Sequence, residues 1–162
     1  MRILLFSIII IVFDQVTKLS VRYFFEKGIP HKIIGDFVRL TYIENPGMAF
    51  GIQVGGQQFF TVFATIASVI IFIYIVRARN EKFSSRFALS LILGGAIGNL
   101  IDRFLFGKVV DFIDIGIKNT RWPIFNVADS SVTIGMIILV AMVFFDKSEK
   151  NEKKYQELAV ED

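Results

Sequence analysis

Several carboxylates lie inside or beside long apolar segments of this 162-residue chain, where a charge is unfavourable. An unpaired charge in hydrocarbon costs about 3 kcal/mol on membrane-insertion scales. Asp129 stands near the start of one apolar segment, and Asp111 follows shortly after another. The chain has no cysteine and one histidine, which excludes disulfides, thiolate catalysis and cysteine-rich or histidine-rich metal sites. Any catalysis therefore depends on carboxylates, hydroxyls, amides or lysine, and we expect no metal or other cofactor.

Two carboxylates that approach each other can hydrolyse a peptide bond. They share one proton, because both cannot ionise cheaply. The ionised member then takes a proton from water, while the protonated member polarises the carbonyl and later helps the amine to leave. Asp111 and Asp129 form such a pair if the apolar segments beside them are antiparallel helices. Taken alone, Asp111 and Asp114 resemble ordinary loop carboxylates, and Asp129 has a structural explanation in a helix start capped by Asn126.

The first apolar segment contains a pair of opposite charges. Asp14 and Lys18 are one helical turn apart and share a helix face. They form either an ion pair that faces the interior of a helix bundle or direct contacts with a substrate. Serine catalysis is a rival hypothesis because Ser130 and Ser131 follow Asp129. It needs a base, however, and the depth of Lys18 in the first segment disfavours this hypothesis.

Three polar residues, Asn99, Asp102 and Arg103, lie within one turn near the end of the third apolar segment. Asp102 and Arg103 are sequence neighbours, so their side chains point in different directions and have separate partners. We expect Asp102 to tether the loop that follows. Arg103 carries five donors and is suited to holding the carbonyl oxygens of a bound peptide.

The apolar segments themselves predict a membrane protein. Hydrophobic residues make up 54% of the chain and the mean hydropathy is +0.59, both above the values of a soluble domain. The first segment resembles a signal peptide, but no cleavage site follows it, so we interpret it as a retained helix. Four segments have the length that a bilayer demands. We predict an α-helical polytopic membrane protein with spans at about 3–25, 57–76, 87–106 and 126–145.

The loops predict an orientation. The short loop 77–86 contains four basic residues, which is typical of a cytoplasmic connection. Both termini are then cytoplasmic, the loops 27–56 and 107–125 lie outside, and 146–162 forms a charged cytoplasmic tail. Loop 27–56 is rich in β-branched and aromatic residues and predicts short strands, with a turn between them at 45–47. The net charge of only +3 and the scattered basic residues indicate no nucleic-acid partner.

Five motifs in order resemble the lipoprotein signal peptidase family, also called signal peptidase II. They are FDQVTK (13–18), ENPGMAFGI (44–52), GGAIGNLIDR (94–103), VVDFID (109–114) and FNVADSSVTIG (125–135). The resemblance implies four transmembrane helices with a small extracytoplasmic β-cradle in the bacterial inner membrane. It also implies an aspartyl endopeptidase that cleaves diacylglyceryl-modified prolipoproteins before the lipidated cysteine.

The resemblance assigns roles to individual positions. It makes Asp111 and Asp129 the catalytic pair, which the residues alone left open. The positions implied around the substrate peptide are Asn45, Gly47, Asn99, Arg103 and Asn126. Supporting positions are Asp14, Lys18 and Asp102. The expected partners are prolipoprotein substrates and membrane lipid, and we expect a monomer.

Two other classes of protein compete with this interpretation. A small proton-coupled carrier would use Asp14, Lys18 and Asp129 as intramembrane ion sites. Two features argue against a carrier. The polar residues cluster toward one face of the membrane, and none of the predicted helices is broken at midplane, as helices of carriers often are. A non-catalytic assembly factor would use its aspartates only to tie loops to helices.

Overall fold

The computed structural model describes residues 2–46, 56–77 and 79–158, and its elements alternate between helices and a small sheet. The helices are α1 (Leu4–Phe24), α2 (Gly56–Arg77), α3 (Phe83–Phe106) and α4 (Val127–Leu158). The strands are β1 (Pro30–Ile34), β2 (Val38–Asn45), β3 (Val109–Ile117) and β4 (Thr120–Arg121). This architecture confirms the predicted fold class of a helical membrane protein with a small sheet.

Four helices in the described part of the chain are long and apolar enough to cross a membrane. The segments that qualify are Leu4–Phe24, Gln58–Arg77, Phe83–Phe106 and Val127–Phe145. These bounds differ from the predicted spans by at most four residues, the largest difference being the earlier start of the third. Helix α4 also continues beyond the predicted end of the span, through the charged sequence to Leu158.

Helix α3 lies at the centre of the bundle and packs against α1, α2 and α4. Its small residues allow this close packing. A Cβ atom placed at Gly95 would lie 2.3 Å from the carbonyl oxygen of Ala128 in α4, and one at Gly98 would lie 2.7 Å from Asp14 Oδ2 in α1. Many large apolar side chains of α1, α2 and α4 are exposed instead, as expected for surfaces that face lipid.

The sheet is antiparallel in the order β1-β2-β3-β4 and draws strands from both long loops. The sequence predicted strands only in the first of these loops, so β3 and β4 were missed. The turn between β1 and β2 at 35–37, where Gly35 has a φ of +51°, was missed as well. The turn predicted at 45–47 lies only partly within the described residues, in which Asn45 is the last residue of β2. Gly47 lies outside the described residues.

The pairing of β2 with β3 contains a bulge beside Asp111. Leu40 pairs with Ile113, but Ile43 pairs with Asp111, so β2 carries one extra residue between these pairs. A bulge of this kind reverses the face on which the following residues of the strand point. Beyond it, Asn45 lies on the same face of the sheet as Asp111.

The sheet is fixed to one end of the bundle by an apolar cluster. Val21 of α1 packs with Tyr42 of β2 and with Val110 and Phe112 of β3. The guanidinium of Arg22 lies 3.6 Å from the ring centroid of Phe106, a cation–π contact. The start of β3 is therefore held directly against the ends of α1 and α3.

Candidate active site

Asp111 and Asp129 approach each other where the sheet meets the helix bundle. Asp111 is the third residue of β3, and Asp129 lies in the first turn of α4. Asn126 precedes that helix, and its side chain contacts both aspartates. Its Nδ2 donates to Asp111 Oδ1 at 2.7 Å, while its Oδ1 accepts a hydrogen bond from the backbone N–H of Asp129 at 2.9 Å. Asn126 is completely buried, so its position depends on these contacts.

At the start of α4, Asn126 and Asp129 each accept a hydrogen bond from the backbone N–H of the other. Besides the bond from its N–H to Asn126, Asp129 accepts a hydrogen bond at Oδ2 from the backbone N–H of Asn126, at 3.2 Å. The two residues thus satisfy two N–H groups at the helix end, as in a capping box. This is the structural role considered for Asp129 from the sequence, and it occupies only one of its two carboxylate oxygens.

Two further asparagines donate to the aspartates. Asn99 of α3 donates from Nδ2 to Asp129 Oδ1 at 2.7 Å. Asn45 donates from Nδ2 to Asp111 Oδ2 at 3.0 Å, which the bulge in β2 makes possible. The structure thus places all three asparagines singled out from the sequence against the aspartates. Every oxygen of the two carboxylates accepts a hydrogen bond from a fixed N–H donor.

The environment of Asp111 disfavours its charged form. The residue is 2% exposed, and this burial is the larger cause that raises its pKa to about 7. The negative charge of Asp129 is the second cause, whereas the hydrogen bonds from Asn45 and Asn126 act in the opposite direction. Near neutral pH, Asp111 is therefore able to hold a proton and to release it.

Arg103 supplies positive charge to the site. Its guanidinium interacts electrostatically with Asp129, Asp111 and Asp102. Its Nε is buried and has no hydrogen-bond partner among the described residues. A buried donor of this kind is costly to leave unpaired and is available to an oxygen atom of a ligand.

Behind the aspartates lies a second group of charges, contributed by α1 and α3. Lys18 Nζ is 2.8 Å from Asp14 Oδ2 and 3.3 Å from Asp102 Oδ2, and all three side chains are almost completely buried. Asp102 also accepts a hydrogen bond from the backbone N–H of Val110, the residue before Asp111, at 3.0 Å. The group therefore connects α1 and α3 to the start of β3.

Asp114 lies on the opposite face of the sheet from Asp111. They are three positions apart along β3, and side chains of a strand alternate between faces. Asp114 forms an ion pair with Arg121 and accepts a hydrogen bond from Thr41 Oγ1 at 3.0 Å. Strand geometry thus separates two carboxylates that are equivalent in the sequence.

One polar residue near the site, Gln15, was not singled out from the sequence. Gln15 donates from Nε2 to the carbonyl oxygen of Gly98 at 3.0 Å and to Asp14 Oδ2 at 3.2 Å. Its position next to Asp14, inside an apolar helix, was the available signal.

A four-helix membrane bundle with two coupled carboxylates at its sheet-covered end defines a membrane protein equipped for acid–base chemistry. Comparison with known proteins specifies it further. The family model described as signal peptidase (SPase) II matches residues 6–145. The chain belongs to the signal peptidase II family and is thus a membrane peptidase.

Individual relatives agree with this assignment. The lipoprotein signal peptidases of Staphylococcus aureus strains JH9 and Newman are each 37% identical over 151 residues, covering 93% of this chain and 93% of the relative. A bacterial membrane enzyme solved by the in meso method at 2.3 Å matches with a TM-score of 0.84 and 36% identity, over 92% of this chain and 91% of that chain. A second, solved at 1.9 Å, has a TM-score of 0.79 and 36% identity, over 88% and 92%.

The comparisons favour the peptidase among the classes considered from the sequence. Both the family model and the curated relatives are signal peptidases, and neither is a carrier. The relatives are bacterial, and the four apolar helices indicate a multi-pass protein of the bacterial inner membrane.

Proposed function

We propose that this protein is an aspartic endopeptidase that removes the signal peptide from diacylglyceryl-modified prolipoproteins, cleaving before the lipidated cysteine. Asp111 and Asp129 are its catalytic pair. The observation that carries the proposal is the position of Asn126, whose amide nitrogen donates to the Asp111 carboxylate at 2.7 Å and whose amide oxygen accepts from the backbone N–H of Asp129 at 2.9 Å. The names of the relatives support the substrate class.

The environments of the two aspartates favour a division of roles. Asp111, with its raised pKa, begins as the protonated acid, and Asp129 begins as the base. Water attacks the scissile carbonyl carbon while Asp129 takes a proton from it and Asp111 donates its proton to the carbonyl oxygen. In the resulting gem-diol, Asp129 passes its proton to the amide nitrogen and the C–N bond breaks. Asp111 recovers a proton from a hydroxyl group, which restores the starting state.

The substrate peptide is held beside this pair. Arg103 directs a carbonyl oxygen of the peptide toward the site through its buried Nε, which lacks a partner in the described residues. Asn45, Asn99 and Asn126 line the same region through their contacts with the carboxylates. Gly47, also implied by the family resemblance, lies outside the described residues.

The depth of the site suits a lipidated substrate. The acyl chains of the modified cysteine hold the scissile bond near the membrane surface, and Asp129 lies in the first turn of a spanning helix. The basic loop 77–86 faces the cytoplasm, both termini are cytoplasmic, and the sheet and active site face outward. The protein acts as a monomer in contact with membrane lipid.

Cleavage of a purified diacylglyceryl-modified prolipoprotein by the detergent-solubilised protein tests this proposal. We expect Asp111→Asn and Asp129→Asn each to lower kcat by on the order of 1,000-fold, since each removes an acid–base group. Asp114→Asn is the matched control because it also neutralises a buried carboxylate on β3, but on the opposite face. If Asp111→Asn and Asp129→Asn both fold and still cleave at the rate of this control, the catalytic assignment is wrong.

A further inference from the structure

Helix α1 reaches Asp129 through two intermediate groups. The first is the side chain of Asn99. Lys18 Nζ donates to Asn99 Oδ1 at 2.9 Å, and Asn99 Nδ2 in turn donates to Asp129 Oδ1 at 2.7 Å. Lys18 is 1% exposed and Asn99 is 7% exposed, so water has little access to the bond between them, whereas the bond to Asp129 is partly buried.

The lysine determines which end of the Asn99 amide faces Asp129. An ammonium group has only donors, so it requires the amide oxygen of Asn99 on its side. The amide nitrogen must then point toward Asp129, where it donates to the carboxylate. Asn126 Nδ2 also donates to Asn99 Oδ1, at 3.1 Å, so Lys18 supplies the shorter and charged of the two bonds that hold this orientation. Losing the Lys18 donor weakens the preference, and a turned amide would place its oxygen against a carboxylate oxygen of Asp129, which repels the ionised form.

The second intermediate group is the backbone at the start of α4. Asp14 Oδ1 accepts a hydrogen bond from the N–H of Ala128 at 2.9 Å, and Ala128 directly precedes Asp129. The other oxygen of Asp14 is bound by Lys18 at 2.8 Å. Gly98 leaves the space for this carboxylate, since a Cβ there would lie 2.7 Å from Asp14 Oδ2. The ion pair therefore fixes the backbone that carries Asp129 as well as its side chain.

We infer that Asp14 and Lys18 are positioning residues for Asp129, acting through the N–H of Ala128 and the amide of Asn99. This inference rests on the proposed function, because it assigns Asp129 the role of the base. It differs from the ion-pair role considered from the sequence, in which the two charges only hold helices in register. A register role requires charge balance alone, whereas the positioning role requires the Lys18 donor itself.

The test measures kcat, KM and thermal unfolding for Lys18→Met, alone and combined with Asp14→Asn or with Asn99→Ala. We expect Lys18→Met to lower kcat about tenfold or more, with KM within about twofold, because a hydrogen bond that orients a charged group is lost. In the Asn99→Ala background the same change should lower kcat by less than about twofold, since the intermediate group is already absent.

The combination with Asp14→Asn separates the two roles. It removes both charges of the pair, so it also keeps the test valid if Lys18→Met alone fails to fold. The positioning role predicts that this double variant folds but keeps the low kcat. Recovery of wild-type kcat in the double variant, or an equal loss from Lys18→Met with and without Asn99, would overturn the inference.

Two controls complete the design. Ser7→Ala removes another buried hydrogen bond between α1 and α3, from Ser7 Oγ to the carbonyl oxygen of Ser90, and should leave kcat unchanged. Asp129→Asn in the same assay distinguishes the two proposals. If Asp129→Asn cleaves normally, the proposed function fails. If only Asp129→Asn is inactive and Lys18→Met cleaves normally, the positioning inference alone fails.

Discussion

Asn126 donates from its amide to Asp111 at 2.7 Å while its amide oxygen binds the backbone N–H of Asp129 at 2.9 Å. One side chain thus caps α4 and orients the acid of the proposed pair. These two functions use different atoms of the amide. A substitution that keeps the oxygen and removes the nitrogen is therefore able to separate them.

We expect Asn126→Ser to keep the helix cap and to lose the donor to Asp111, whereas Asn126→Ala loses both. Serine and asparagine cap helices about equally well, and replacing either by alanine costs about 1 kcal/mol. Both variants should lower kcat by on the order of 100-fold. Thermal unfolding and cleavage rates of the two proteins check this prediction. Equal activity of Asn126→Ser and wild type would show that the amide nitrogen has no catalytic effect.

The raised pKa of Asp111 predicts a loss of activity at alkaline pH. The proposed acid must be protonated, so kcat/KM should fall as the pH rises through about 7. A profile of kcat/KM against pH, measured from about pH 5 to 9 on wild type and on Asp114→Asn, checks this fall. The same fall in both proteins is expected, because Asp114 lies on the other face of the sheet. A profile that stays flat above pH 7 contradicts the assignment of Asp111 as the acid.

The raised pKa of Asp111 also predicts how the stability of the fold changes with pH. Its folded value of about 7 lies above the ordinary value of 3.8, so the folded state binds this proton more tightly than the unfolded state. The resulting stabilisation is fully present below pH 3.8 and is lost as the pH rises through about 7. Because asparagine does not titrate, the unfolding midpoint of wild type should fall relative to Asp111→Asn across this window. A difference between the two unfolding midpoints that stays constant with pH would contradict this prediction.

The glycines of α3 should differ in their tolerance of a methyl group. At Gly95 the new Cβ would lie 2.3 Å from a backbone carbonyl oxygen, whereas at Gly98 it would meet a side-chain carboxylate at 2.7 Å. Overpacking costs about 1–3 kcal/mol, and backbone moves less readily than a side chain. We expect both Gly→Ala variants to unfold at lower temperature than wild type, with Gly95→Ala the lower. The reverse order would mean that the carboxylate of Asp14 is held more rigidly than helix α4.

The proposed orientation is testable because the chain contains no cysteine. Lys32→Cys places a single thiol at an exposed position of β1, and Glu81→Cys places one in the basic loop. A membrane-impermeant maleimide should label the first in intact spheroplasts and the second only after permeabilisation. Labelling in the opposite pattern would place the sheet and the active site in the cytoplasm.

Local features of this protein follow directly from its sequence. The spans are visible because hydropathy depends on composition, and the pair Asp14 and Lys18 is visible because residues four apart share a helix face. The cap at α4 is visible as well, since Asn126 and Asp129 have the spacing of a capping box. The ion pair and the cap each join residues about one helical turn apart, and each span depends only on the composition of its own segment.

The tertiary structure decides the contacts between distant segments. Asn45 faces Asp111 because β2 carries one extra residue between the pairs formed by Leu40 and Ile43, and a single residue reverses the face of a strand. Lys18 meets Asn99, 81 positions away, because the glycines of α3 allow α1 to approach. Register and helix packing are set by the fit of whole surfaces, so no local pattern encodes them. The sequence by itself determined which groups can do the chemistry, and packing decided which of them meet.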